Sequence, residues 1–157
     1  MDRADIAPAV DDETAFKEAE FLGLARRSKR DPYRLALFAR HFESGEQARA
    51  VLPIVGGTLV VTDRRLLHFT THLEVDGAWN VREFTGYTIA HEAPLAGITD
   101  AGSATRRDGR DLEESLQVET SRGALEFVVS KGPERVVSPE DIARAIALLT
   151  RRSPSPG

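Results

Sequence analysis

Residues 57–69 read Gly57-Thr58-Leu59-Val60-Val61-Thr62-Asp63-Arg64-Arg65-Leu66-Leu67-His68-Phe69. Two apolar, partly β-branched runs flank a polar Thr-Asp-Arg step, the pattern of two strands and a tight reversal. Side chains alternate faces along a strand. Leu59 and Val61 therefore share one face of the first strand. Leu67 and Phe69 share one face of the second, with Leu66, His68 and Thr70 on the other. Each strand is expected to bury one row and wet the other. Asp63 suits the reversal because its short carboxylate bonds to nearby turn N–H groups. The rest of the chain is expected to be built onto this hairpin.

On the N-terminal side, Met1 to Asp12 is acidic and reads as a disordered lead-in. Residues 13–28 carry helix formers, with Phe16, Ala19 and Leu22 at helical spacing. The basic run Arg26-Arg27-Ser28-Lys29-Arg30 follows. Asp31-Pro32 is a helix start, and Leu35, Phe38 and Phe42 form one apolar side of the helix it opens. Ser44-Gly45 is expected to end that helix. The sequence thus predicts a helical pair over 13–43. From Glu46 the texture changes to strands: Ala48 to Ile54, then Val55-Gly56-Gly57 as an exit loop.

On the C-terminal side, Thr71 to Ala78 reads as a connection with an Asp76-Gly77 turn. Trp79 to Ile89 has strand character, with Gly86 at a bulge, and Glu92-Ala93-Pro94 is expected to break it. A short strand surrounds Ile98, and Arg106 to Asp111 is a charged loop. Leu116–Thr120 and Leu125–Val129 alternate as a second hairpin. Ser138-Pro139-Glu140-Asp141 starts a last helix whose Ile142, Ala145, Ile146 and Leu149 form one stripe. Residues 153–157 read as a frayed tail.

Composition bounds the chemistry. The chain has 157 residues, enough for one domain with an added element, and a net charge of −4. Neither half is strongly basic, which argues against a nucleic-acid binder. No cysteine is present, so disulfides, thiolate nucleophiles and cysteine-held metals are excluded. No apolar run approaches the ~20 residues that span a bilayer, and the acidic start lacks the form of a signal peptide. A cytoplasmic location is the expectation, with the inner face of the membrane as its peripheral variant.

About seven antiparallel strands followed by one amphipathic helix is a specific order. Here the chain resembles the bacterial pleckstrin-homology-like family, over roughly residues 43–151. The resemblance rests on Ser44-Gly45-Glu46, on the Thr62-Asp63-Arg64-Arg65-Leu66-Leu67 run, on Pro94-Leu95 and Ile98, on the last hairpin and on the closing helix. It implies a mainly β fold: a curled antiparallel barrel capped by the C-terminal helix. The expected layout is an N-terminal helical extension at 1–43, the barrel domain at 44–152 and a tail at 153–157. Relatives in eukaryotes bind phosphoinositides with basic residues beside the first strand loop. Here that loop is Pro53-Ile54-Val55-Gly56-Gly57, with no basic residue, so that site is not carried over.

The Thr62–Arg65 run reads as a fold signature, an Arg stem lying on the wall with its head on a carboxylate. Candidate anion or partner contacts are Arg26, Arg27, Lys29, Arg30, Arg64, Arg106, Arg107 and Arg110. The plainer reading of both basic runs is a solvated loop, self-paired in the second case by Asp108 and Asp111. His68 and His72 are four apart, and with His91 and Glu92 they form the candidate metal set of a third, enzymatic reading. No Gly-x-Ser-x-Gly elbow or phosphate-binding glycine loop is present. The expectation is a non-enzymatic module without cofactor or metal. Its partner is a protein or a second copy, with an anionic membrane as the alternative.

Overall fold

A computed structural model describes residues 12–23, 32–76, 81–133 and 137–150. The chain is mainly β, with two sheets and one C-terminal helix. The elements are α1 (Asp12–Ala15), β1 (Glu20–Phe21), α2 (Pro32–Ala39), β2 (Ala48–Ile54), β3 (Gly57–Thr62), β4 (Arg65–Asp76), β5 (Val81–Pro94), β6 (Ile98–Asp108), β7 (Asp111–Thr120), β8 (Gly123–Gly132) and α3 (Pro139–Thr150). Strands β1 to β5 form one sheet in chain order, and β6 to β8 form the other.

The opening hairpin forms, with a register that corrects its expected one-sided burial. Val60 lies opposite Leu67 and Val61 opposite Leu66. Leu59, Val61 and Leu66 therefore face one core, and Val60, Leu67 and Phe69 face another. Both faces of the sheet are dry. On the first face, Leu116, Val118 and Phe127 of the second sheet and Ile142, Ala145 and Leu149 of α3 complete the core. On the second face, Phe16, Leu35, Phe38 and Phe42 cover the strands. Phe38 is fully buried, with ring centroids 4.8 Å from Phe69 and 4.4 Å from Tyr87.

The described residues of 13–43 do not form the expected helical pair. The first segment makes one helical turn and then a strand. Glu20 and Phe21 pair in parallel with Ala50 and Val51, and the Leu22 N–H donates to the Val51 carbonyl at 2.9 Å. Pairing with the open backbone groups along the edge of β2 overrides the helix propensity of this stretch, as tertiary context commonly does. The second helix stops at Ala39 and not at Ser44-Gly45. Gly45, with φ +80°, instead sits third in a turn closed by the Glu46 N–H on the Glu43 carbonyl at 3.0 Å. A left-handed residue at that position is what such turns require.

Two further expectations change. The connection drawn over Thr71–Ala78 is strand as far as Asp76, which pairs with Val81, so β4 and β5 form one long hairpin. Glu92-Ala93-Pro94 does not break β5. The chain leaves at a short 3₁₀ turn, Leu95–Gly97, and changes sheet there. The expected bulge is present beside Gly86, where Thr85 is passed over in the pairing with β4. The last hairpin and α3 form as expected, and the Asp141 N–H donates to the Ser138 hydroxyl at 3.1 Å, closing the N-cap.

The described strands are two sheets and do not close into a single barrel. They approach at one corner, where the Val55 N–H donates to the Val128 carbonyl at 2.8 Å. At the opposite side β5 pairs only with β4, and β6 only with β7, among the described residues. Residues 1–11 of the expected lead-in, the Arg26–Arg30 run, Trp79 and the tail lie outside the described residues.

Deleting the Phe38 ring leaves a cavity between α2 and the sheet. Phe38→Ala is expected to cost about 3–5 kcal/mol in urea denaturation, and Val55→Ala, at an exposed position, well under about 1 kcal/mol.

Candidate functional site

The Thr62–Arg65 turn carries the densest polar network among the described residues. Glu46 is fully buried. The Arg65 guanidinium forks onto it, with Nε at 2.9 Å and Nη2 at 2.8 Å from its two oxygens. Thr62 Oγ1 donates to Glu46 Oε2 at 2.6 Å, and the Glu43 N–H to Oε1 at 2.8 Å. Arg65 also donates to Glu92 at 2.8 Å and to the His41 carbonyl at 2.9 Å. Thr62 accepts from the N–H groups of Arg64 and Arg65, each at 3.0 Å. A buried charge is tolerable only when paired and hydrogen-bonded, and Glu46 has both. Burial pushes its carboxyl up, but the hydrogen bonds from Arg65, Thr62 and Glu43 and the Arg65 charge outweigh that and hold it below its ordinary value. Arg65 is raised, chiefly by its bonds to Glu46. The network joins three segments and offers no open coordination to a ligand.

The remaining expected contact residues do not converge. Arg64 is exposed at the turn, bonded to Glu43 at 3.1 Å and to the Ser44 carbonyl at 2.9 Å. Arg106 and Arg107 lie at the end of β6 and Arg110 at the tip before β7, all exposed. Arg106 donates to Glu113 at 2.8 Å. Leu95, which leads into β6, bonds to the Arg64 carbonyl, so Arg64 and the Arg106–Arg110 group sit at opposite ends of β6. Arg26, Arg27, Lys29 and Arg30 lie outside the described residues.

The candidate metal set comes apart for a geometric reason. Four residues along a strand rise ~13 Å, against ~6 Å in a helix, so His72 is carried away from His68 along β4. Glu92 pairs with Leu67 and reaches Arg65, leaving by the other face. No group of three or more metal-ligating side chains occurs among the described residues. His68 and His91 do meet. They are cross-strand partners with Nδ1 atoms 3.0 Å apart, ring planes within 1° of parallel and centroids 5.2 Å apart. That separation is close to the N···N distance plus two ring radii, so the rings lie edge to edge. One Nδ1–H donates to the other ring's lone pair. The Phe127 edge packs against both rings. Burial, and then the neighbouring His91, hold His68 below the usual histidine value, against a weaker pull from the Gly56 backbone. Its Nε2 is buried without a well-formed hydrogen bond. Gly57 explains its glycine here: a Cβ would fall 2.3 Å from the Phe69 carbonyl and 2.7 Å from His68 Nε2.

An exposed sheet edge, or the groove beside the C-terminal helix, is the binding surface expected of such a module, but motif reading does not say which edge keeps a regular ladder. Edge strands expose unpaired N–H and C=O groups and are usually blunted. β1 covers the outer side of β2, and β8 turns toward Val55. β5 is interrupted by two bulges, at Thr85 and Ala90, and ends in Pro94. β6 has a single bulge at Thr99 and then pairs regularly with β7 from Asp100 to Asp108. Its middle reads Ala101-Gly102-Ser103-Ala104, and a Cβ built on Gly102 meets nothing within 4 Å. The run of small residues beside an Arg-rich end was the available signal.

Glu46→Gln is expected to cost about 3–5 kcal/mol at neutral pH, because Arg65 loses its buried counter-charge. Glu46 titrates below 4.5 in the fold, so its contribution is complete above that pH and lost as pH falls through its folded value. Urea denaturation from pH 7 downward should show that acid loss in the parent and not in Glu46→Gln. For His68 the fold favours the neutral ring. The unfolded chain therefore takes the proton first, and stability declines as pH falls below 6.5. His68→Gln should flatten that part of the curve.

Comparison of the chain with protein-family models, with curated proteins and with solved structures finds no match in any of the three.

Proposed function

We propose that the chain is a non-enzymatic binding module on a split, pleckstrin-homology-like barrel. It engages a protein partner by taking an added strand along the outer edge of β6. The observation that carries this reading is the contrast between the two open edges. β5 is bulged twice and stopped by Pro94, whereas β6 runs regularly from Asp100 to Asp108 with small residues at its centre. In strand addition, main-chain hydrogen bonds supply the affinity and alternate side chains the selectivity. The strand order, four antiparallel strands and then three followed by a helix, supports the family resemblance stated above. The Thr62–Arg65 run supports it as a structural signature, its arginine turned onto Glu46. Among the described residues no helix is long and apolar enough to cross a membrane.

The membrane-surface alternative draws on Arg106, Arg107 and Arg110 at one hairpin tip. It is the weaker reading because Arg106 already bonds to Glu113 and Asp111 stands beside Arg110. A photoreactive residue in place of Ser103, with a second variant carrying it in place of Ala90 as the β5 control, tests the proposal in the native host. Adducts to protein are expected from position 103 and not from position 90. Equal labelling at both, or co-sedimentation of the parent chain with anionic vesicles at low salt, overturns it.

A further inference from the structure

The strand that β6 accepts has a chemistry written into β6 itself. We infer that it is the β6 of a second copy, paired antiparallel about a two-fold axis through Ser103. This rests on the edge-binding reading above and names its occupant.

The argument begins with register. In a regular antiparallel edge, residues of one parity turn their N–H and C=O groups outward and those of the other turn them inward. Two residues directly opposite must be of the same kind. When a strand pairs with its own copy, the two residue numbers must therefore sum to an even number, and the axis passes through a residue and not between two. The regular part of β6 runs from Asp100 to Asp108. Centred on Ser103, the self-pairing sets Ala104 opposite Gly102, Thr105 opposite Ala101 and Arg106 opposite Asp100.

That last pair is the selective one. Opposite charges directly across a pair stabilise it and like charges destabilise it. The two-fold axis makes the contact twice, Asp100 to Arg106 and Arg106 to Asp100. Arg106 is exposed and donates to Glu113 on β7, its neighbour on the same face, so Asp100 of the second copy would place it between two carboxylates. Between the charged pairs lie only Ala, Gly, Ser and Thr, which let two backbones approach without a clash. A centre at Ala101 would put Asp100 opposite Gly102, and one at Thr105 would put Asp100 opposite Arg110, which lies in the turn beyond the end of β6 at Asp108. Neither register matches charge with charge within the strand. The strand edge alone buries less than the roughly 1,000 Å² of a stable interface, so the dimer dissociates on dilution.

Sedimentation velocity of the full chain at low salt, from micromolar to millimolar, tests this. The parent is expected to show a concentration-dependent dimer. Asp100→Arg alone sets Arg against Arg twice, and Arg106→Asp alone sets Asp against Asp twice. Each is expected to dimerise about tenfold more weakly. Mixed in equal amounts, the two variants restore both ion pairs and should dimerise as the parent does. A parent that stays monomeric throughout, or a mixture no heavier than its components, overturns the inference.

A second measurement does not depend on those charges. The chain has no cysteine, so Ser103→Cys introduces a single thiol. Directly opposed residues lie within disulfide reach. Mild oxidation should give a linked dimer from Ser103→Cys and much less from Thr105→Cys, whose opposite number is Ala101. Equal linking of both overturns the register. The photoreactive variant at Ser103 separates the two readings. Adducts only to other proteins overturn the second-copy inference and leave edge binding standing, whereas equal labelling at position 90 overturns edge binding itself.

Discussion

Glu46 is a carboxylate with no access to water, and the fold is arranged around what that requires. An isolated buried charge is too costly to keep, so the fork of Arg65, the hydroxyl of Thr62 and the N–H of Glu43 must all be in place together. Each belongs to a different local structure: the turn before β2, the end of β3 and the start of β4. Arg65 goes on to Glu92 in β5 and to the His41 carbonyl after α2. One guanidinium thus ties the hairpin to the last strand of its sheet and to the segment that leads down from the N-terminal helix. Replacing such a network with apolar residues could be neutral in stability. What the network contributes is register, because a one-residue slip of β4 would remove the fork from Glu46 and exchange the faces of Leu66 and Leu67.

That register matters because the middle of the larger sheet, from β2 through β3 to the start of β4, is buried on both sides. There the strands read as runs such as Leu59-Val60-Val61 and Leu66-Leu67 and not as alternating apolar and polar residues, as expected where a sheet is covered on two faces. One cover is the second sheet with α3, the other is the aromatic group of Phe16, Phe38 and Phe42. The two covers are themselves linked. The Gly23 N–H donates to Asp141 of α3 at 2.8 Å, and the Arg144 guanidinium grips Glu20 of β1 with Nε at 2.7 and 2.9 Å. Residues 20–23 are therefore part of the packed body, joined both to β2 and to the closing helix.

The sheets meet at the Val55–Val128 corner and part at Leu95–Gly97, where the chain changes sheet. Among the described residues two edges are left on the parted side, and their backbones differ in kind. Bulges remove the regular hydrogen-bonding ladder from β5 and leave it intact along β6. The binding proposal follows from that asymmetry and not from any single reactive side chain. The histidine pair, by contrast, is explained by packing: two rings sharing one proton against Phe127 stabilise the β4–β5 pairing without a ligand.

By itself the sequence determined the elements whose signals are local. The Thr62-Asp63-Arg64 reversal, the hairpin about Ser121–Gly123 and the Ser138-capped helix each follow from a few consecutive residues, because turn chemistry, alternation and helical period act over that range. It also anticipated an arginine from the 62–65 run seated on a carboxylate, though not that the carboxylate would be Glu46. Only the tertiary structure decided the rest. Glu20 and Phe21 became a strand because β2 had an edge to fill, and Thr71–Asp76 became strand because Val81 onward was there to pair with it. His68 and His72 parted, and His68 and His91 met, because an extended backbone replaced the helical spacing that four-apart histidines suggest. Which edge kept a regular ladder was set by where bulges fell in two different pairings. These are properties of contacts between segments far apart in the chain, and no local pattern of residues encodes them.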